Sequence, residues 1–165
     1  MITFIEAFKR ELADEAIETG RMLEKVPMDK FDWKPHTRSM KLGVLAFHLA
    51  ELPVMISKAL LKDKRDVVED EPAAAKSFET TEALLAVLQN SVKEASDALN
   101  VSTDNILLDK WRLCAGEITY LEMEKWEAVR HAFGQNAHHR AQLGVFLRLL
   151  DIPIPGPYGP SADEM

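Results

Sequence analysis

The sequence predicts an all-α fold, a four-helix bundle followed by an extended, proline-rich C-terminal tail. Four segments carry apolar residues at the three- and four-residue spacing of amphipathic helices, and no segment shows convincing strand alternation. The chain has 165 residues, of which 47% are hydrophobic and 28% charged, and it is long enough to bury one core. We therefore expect a single helical-bundle domain over residues 1–165.

The first helix is predicted over residues 2–25, where apolar side chains form a stripe opposite charged ones. It should end before Pro27, because the residue preceding a proline disfavours helical backbone. Residues 27–38 then form a connecting loop. Phe31 and Trp33 are expected to anchor this loop on the helices.

The second helix is predicted over residues 40–63, with Ser39 as its N-cap. Pro53 lies inside this helix and predicts a kink, since proline has no N–H for the helical hydrogen bond. Residues 64–79 are charged and then small, which favours a surface linker.

The third helix should be capped by Thr80 or Thr81 and run to about Leu99. The segment 102–120 has no clear pattern, and we interpret it as a long loop or short irregular elements.

The fourth helix is predicted over Trp126–Leu150, an amphipathic stretch without proline. Residues 152–165 follow and hold four of the eight prolines of the chain, so this tail cannot be helical. It should lie extended across the surface of the protein.

His139 occupies the centre of the face of this fourth helix that should be buried. Gln135, four residues earlier, lies on the same face, whereas His138 points about 100° away and His131 lies toward that flank. The apolar residues that share the face of His139 within about 40° are Ala132, Leu143, Phe146 and Leu150.

His48 is likewise central on the buried face of the second helix, with Glu51 at the edge of that face. A buried neutral histidine that is hydrogen-bonded to a neighbour is common. However, two such histidines on different helices could also bind one metal ion in the bundle core. Gln135 would be the third ligand, with His131 or Glu51 as alternatives. Imidazole ligands suit zinc, nickel, copper or iron, so they do not select the metal.

The other reactive side chains favour simpler interpretations. His138 and Arg140 are expected on the flank or surface of the helix. His36 follows a proline in a loop, where it is either solvated or at the mouth of a site. Cys114 is the only cysteine, which excludes an intramolecular disulfide, and a buried single cysteine is usually inert.

Composition excludes several classes of protein. A net charge of −7 argues against non-specific nucleic-acid binding, which relies on Lys and Arg to neutralise phosphates. No run approaches the roughly 20 apolar residues that a membrane helix needs, and the N-terminal sequence is not that of a signal peptide. A cytoplasmic protein is therefore expected.

Three stretches of the chain resemble DinB-like proteins, a family of four-helix bundles. They are V-P-M-D-K-F-D-W-K-P-H at 26–36, S-M-K-L-G-V-L-A-F-H-L-A-E-L-P at 39–53, and H-H-R-A-Q-L-G-V-F-L-R-L-L-D-I-P-I-P-G-P-Y-G-P-S-A-D-E at 138–164. The resemblance covers most of the chain and is weakest between about 64 and 120.

The resemblance implies a divalent metal, nickel or zinc, bound by three histidines. Two of these positions are His48 and His139 here, but the third, four residues before His139, is occupied by Gln135. A glutamine oxygen is neutral and a weaker ligand than imidazole. The implied site is therefore a weakened set of His48, Gln135 and His139.

The resemblance also implies two alternative functions. The first is a metal-dependent thiol S-transferase or hydrolase, in which the metal activates a bound thiol or water to act on a small-molecule substrate. The second is a degenerate protein without catalytic metal, acting in ligand binding or in stress-related interactions. In either case the family implies a homodimer.

Overall fold

The computed structural model describes residues 2–69 and 80–165 of the chain. Within these residues the protein contains five α-helices, a small three-stranded sheet and two 3-10 helices. The helices are α1 (Phe4–Leu23), α2 (Leu42–Glu51), α3 (Val54–Leu61), α4 (Thr81–Val101) and α5 (Lys125–Leu149). The strands are β1 (Lys64–Asp66), β2 (Lys110–Ala115) and β3 (Ile118–Glu124), and the 3-10 helices are Met28–Lys30 and Asp104–Leu108.

The sheet corrects the all-α prediction. It also corrects the interpretation of residues 102–120 as a long loop or short irregular elements, since this segment contains β2 and the start of β3 besides the 3-10 helix Asp104–Leu108. Its strand order is β1-β2-β3, with β1 parallel and β3 antiparallel to β2. A register irregularity between Leu113 and Cys114 interrupts β2, so its two fully buried residues, Trp111 and Cys114, are three positions apart. Because strands are recognised by a period of two, this spacing conceals β2. Most of β3 is exposed, so it lacks the alternation as well.

The chain bends at Pro53 as predicted, but it forms two helices there instead of one kinked helix. Helices α2 and α3 are separate, and their axes differ by 42°. The prediction for the start of α2 is wrong, because Lys41 rather than Ser39 is the N-cap, without a side-chain hydrogen bond. The prediction for α4 is correct, since the hydroxyl of Thr80 accepts a hydrogen bond from Ala83 N.

The predicted linker over 64–79 is only partly described. Its first residues form β1, a strand instead of a linker, and residues 70–79 lie outside the described residues. In β1 the buried carboxylate of Asp66 accepts hydrogen bonds from the backbone N–H groups of Val68 and Gly116. This contact joins β1 to the tight turn between β2 and β3.

The core lies where the helices meet. Helix α1 packs against α4 and α5, and both α2 and α3 pack between α4 and α5. The side chains that are fully or almost fully buried there are mostly aliphatic: Leu23, Leu42, Leu45, Leu49, Ile56, Leu84, Leu99, Val129, Leu143 and Leu147.

Two aromatic residues attach the loop of residues 27–38 to this core, as predicted. Trp33 contacts Phe146 of α5 edge to face, with ring centroids 5.7 Å apart. Phe31 lies over Gly43 at the start of α2, and its carbonyl accepts a hydrogen bond from Gly43 N at 2.9 Å. The loop is therefore held next to both helices that carry the candidate histidines.

Residues 151–165 contain no helix or strand, and the chain turns back on itself there. The hydroxyl of Ser161 donates to the carbonyl of Ile154 at 2.6 Å, and Asp163 accepts from both Arg148 and Ile154 N. Glu164 accepts from Arg21 of α1. Carboxylates near the end of the tail thus fix it to two different helices.

Across the described ranges, no single helix is long and apolar enough to cross a membrane. Helices α2 and α3, taken together, have the length and the apolar composition of a membrane span, but they are bent by 42° relative to each other.

Candidate functional site

The two histidines on different helices lie side by side. His48 is in the last turn of α2 and half-buried, and His139 is in the middle of α5 with 9% of its surface exposed. Their ring centroids are 4.7 Å apart, and the ring planes are nearly perpendicular at 79°. Two imidazoles from different helices are thus in edge-to-face contact.

A glutamine does accompany His139, but it is not the one that the sequence pattern indicated. Nδ1 of His139 is 2.8 Å from Oε1 of Gln142, one turn later on α5. If Nδ1 carries the proton of the neutral ring, it donates to this oxygen, and Nε2 keeps its lone pair. Gln135 is half-buried and makes no hydrogen bond with any described residue. The i+3 spacing from His139 was the signal that could have identified Gln142.

Both imidazoles are held in the neutral form. Burial, together with the nearby His139 and Arg65, lowers the pKa of His48 from 6.5 to about 4. Burial also lowers the pKa of His139, an effect that the hydrogen bond with Gln142 opposes and the nearby His138 reinforces. Neutral imidazole is the form that binds a metal, so at pH 7 neither ring must lose a proton before it can act as a ligand.

The remaining histidines do not complete a ligand set. His138 is exposed, as expected, although its ring centroid is 4.9 Å from that of His139. His131 is half-buried, and His36 is exposed, with its Nδ1 accepting from Arg38 N at 3.1 Å. In the described part of the chain, no three His, Cys, Asp or Glu side chains group closely enough to hold a metal ion.

Outside the histidine pair, the prediction for Arg140 is wrong. We expected it on the flank or surface, but it is only 1% exposed. Its guanidinium donates to Glu15 Oε2 at 2.6 Å and to the hydroxyl of Tyr158, and its Cζ lies 5.0 Å from the centre of the Tyr158 ring. Arg140 therefore connects α5 to α1 and to the tail. Cys114 is buried, in agreement with its interpretation as an inert residue.

Two concave regions lie near these residues. A cleft of about 180 Å³ opens beside His48 at the junction of α2 and α3. A larger groove of about 470 Å³ lies between α5 and the tail, where Gly144, Val145, Ile154 and Pro155 line it. His139 lines neither of them, so only the smaller cleft reaches the histidine pair.

Comparison with solved structures shows the same fold in proteins of low sequence identity. A DinB-like protein from Bacillus subtilis superposes with a TM-score of 0.70 at 16% identity, over 92% of this chain and 97% of that chain. A DinB-like protein from Bacillus cereus gives 0.70 at 20% identity, over 94% and 99%. A putative DinB family member from Exiguobacterium sibiricum gives 0.65 at 20% identity, over 100% and 99%.

A curated relative by sequence is the L-arabinose transport ATP-binding protein AraG of Geobacillus stearothermophilus, which is 35% identical over 85 residues. The match covers 52% of this chain and 15% of that protein. The chain thus spans only a small part of that relative, and the description of the whole relative applies to the relative alone.

The sequence model of the DinB family matches residues 1–165, which agrees with the fold shared by the three solved structures. The chain belongs to the DinB family.

Proposed function

We propose that the protein binds a divalent metal, nickel or zinc, through His48 and His139, with Gln135 as a weak third ligand. The reaction would be a thiol S-transfer or a hydrolysis. The single observation that carries the proposal is the convergence of the two imidazole rings, 4.7 Å apart, from different helices. Helical bundles bind metals with side chains that project in this way from facing helices.

The surroundings of the two rings favour metal binding. Both rings are neutral at pH 7, and Gln142 orients His139 through Nδ1, which leaves Nε2 for the metal. When bound, such a metal lowers the pKa of a coordinated thiol or water and so supplies a nucleophile near neutral pH. In this scheme His48 and His139 hold the metal, and Gln142 fixes the direction of the His139 ring.

Gln135 is the weakest part of the proposed site. Its amide has no hydrogen-bond partner among the described residues, so its oxygen is available as a ligand or to hold a water molecule. A neutral amide oxygen binds zinc or nickel less strongly than imidazole does. We therefore expect about one metal per chain, bound less tightly than by three histidines.

The test is elemental analysis of protein purified without a histidine tag, followed by titration with zinc and nickel at neutral pH. His48→Ala and His139→Ala should each abolish metal uptake while costing little stability of the fold. His138→Ala is the matched control, because this exposed histidine is next to His139 on the same helix. If the parent protein takes up neither metal, or if the two site variants bind as well as it does, the proposal is wrong.

A second candidate function is a DinB protein without catalytic metal that binds a ligand or a partner under stress. It is favoured by Gln135, which stands where the family resemblance implies the third histidine. The hydrogen bond with Gln142 also gives Nδ1 of His139 a partner in the absence of a metal. In this case Gln135→His should create tight metal binding that the parent lacks. Tight metal binding by the parent protein, with a rise in its melting temperature, would exclude this second candidate function.

In either case we propose that the protein acts as a homodimer in the cytoplasm. Several large apolar side chains at the surface support an association between two chains, among them Tyr120, Val145 and Leu149. Sedimentation equilibrium of the purified protein tests this directly. A mass of one chain at all accessible concentrations would contradict the dimer.

A further inference from the structure

The groove between α5 and the tail is separate from the histidine pair. Its volume of about 470 Å³ lies within the range of small-molecule sites in proteins. One wall is the side of α5 that carries Gly144, and the other wall is the tail around Pro155. Neither His48 nor His139 lines the groove, so a ligand bound there is distinct from the proposed metal.

The described residues that line this groove are mainly apolar. Met22, Gly144 and Pro155 are buried and form its floor. Val145 and Leu149 are more than half exposed and form its rim. An apolar molecule bound in the groove leaves water and covers these two exposed side chains at the same time. Both changes remove apolar surface from water, which favours binding.

The two arginines that line the groove already have partners. Arg140 donates to Glu15 Oε2 at 2.6 Å and to the hydroxyl of Tyr158, which itself donates to Glu15 Oε1 at 2.7 Å. Arg148 donates to both carboxylate oxygens of Asp163, at 2.9 and 2.5 Å. An anionic ligand would have to displace one of these carboxylates, because each cation in the described lining is already paired.

The tail segment 154–157 has no free backbone N–H group. Ile154 N donates to Asp163 and Gly156 N donates to Glu164, at 2.9 and 3.0 Å. The two other residues of the segment are prolines, which have no N–H. A peptide strand needs such donors for its own carbonyl groups, so this wall does not favour an extended peptide.

We propose that this groove binds an uncharged, apolar small molecule. The apolar walls favour a hydrocarbon surface, and the paired arginines and the occupied N–H groups of the tail favour a ligand without charge. The bound molecule contacts α5 and the tail at once, so binding should also stabilise the docked tail. This inference does not depend on a metal at His48 and His139.

The test compares two fluorescent probes that share one aromatic framework. N-phenylnaphthylamine is uncharged, whereas anilinonaphthalene sulfonate carries an additional negative charge. We expect the uncharged probe to bind about tenfold more tightly, because burial of a charge without a free partner is unfavourable. In 1H–15N NMR spectra the uncharged probe should shift the signals of Gly144, Val145 and Ile154. Tighter binding of the sulfonate, or shifts confined to residues far from the groove, would overturn the inference.

Variants locate the bound probe. Ala141→Leu places a longer apolar side chain in the groove and should reduce the affinity for the uncharged probe about tenfold. Ala13→Leu is the matched control, because it makes the same change on an exposed part of α1 that does not line the groove. Gly144→Ala places a methyl group 3.5 Å from Ile154 Cδ1, an ordinary contact distance, so it should fold and reduce the affinity less. If the three variants bind the probe as tightly as the parent protein, the inference is wrong.

Sedimentation equilibrium in the presence of the uncharged probe distinguishes a small molecule from a second copy of the chain. We expect the same affinity per chain in monomer and dimer. Loss of probe binding as the dimer forms would show that a second chain covers the groove, and it would overturn the inference. The probe should bind equally with and without zinc. A protein that binds the probe but takes up no metal therefore contradicts only the metal-dependent function.

Discussion

The strongest prediction for stability concerns the buried ion pair between Glu15 and Arg140. The two groups are 2.6 Å apart, and their side chains are only 14% and 2% exposed. Glu15 also accepts a hydrogen bond from the hydroxyl of Tyr158 at 2.7 Å. Glu15→Gln keeps the size of the side chain but leaves the guanidinium of Arg140 buried without a counter-charge. Removal of one partner from a buried pair costs about 3–5 kcal/mol, and the isosteric change should lie near the lower value.

Urea unfolding followed by far-UV circular dichroism measures this effect. With a denaturant slope of about 2 kcal/mol per molar, a loss of about 3 kcal/mol lowers the midpoint by about 1.5 M. The control is Glu18→Gln, which breaks the more exposed pair with Arg21 on the same helix and should cost less than about 1 kcal/mol. The double variant Glu15→Gln with Arg140→Met should recover part of the loss, since no charge then remains unpaired. Equal costs for Glu15→Gln and Glu18→Gln would refute the reasoning.

Four further predictions follow from the backbone and from His48. Gly43→Ala should destabilise the protein by about 1–3 kcal/mol, because its methyl group would overlap the ring of Phe31. Gly134→Ala, in open space on α5, should instead stabilise it by about 0.5–1 kcal/mol in the same urea assay, and the opposite order would contradict both. Gly116→Ala should lower the free energy of unfolding by about 1–2 kcal/mol, since its φ of 53° is costly for residues with a Cβ; an unchanged melting temperature would be the contrary result. The pKa of His48 is about 4 instead of 6.5, so the unfolded chain takes up a proton between these values and the native protein does not. The contribution of neutral His48 to the free energy of unfolding should therefore be constant above pH 6.5 and should decrease progressively as the pH falls to 4. Unfolding free energies measured from pH 7.5 to 4 test this, and His48→Asn should make the decrease smaller.

The sequence predicted those features that depend on residues close together in the chain. Pro53 breaks the second helix because it lacks an N–H, whatever surrounds it, and Thr80 caps α4 through its own next turn. The two candidate histidines were found because helical periodicity specifies the inward face. The strand β2 was missed because the irregularity between Leu113 and Cys114 shifts its buried residues out of the period of two.

The environments of Arg140 and His139 could not be predicted in the same way. Arg140 is buried by Glu15, 125 positions earlier, and by Tyr158 of the tail, so its surroundings depend on how distant segments pack. A helical wheel also places both Gln135 and Gln142 on the side of His139. The structure pairs His139 with Gln142, and the periodicity of the helix alone could not distinguish this residue from Gln135, because both spacings bring side chains together.

The docked tail has a practical consequence for ligand screening. The groove of about 470 Å³ beside α5 owes one wall to the tail, which contributes Ile154, Pro155, Pro157 and Tyr158. The ion pair of Asp163 with Arg148 holds this wall in place, although Asp163 itself does not line the groove. A substitution of Asp163 would therefore open the groove without changing any residue that lines it. Fragment libraries should be screened on protein that keeps Asp163 and at low salt, because salt weakens exposed ion pairs.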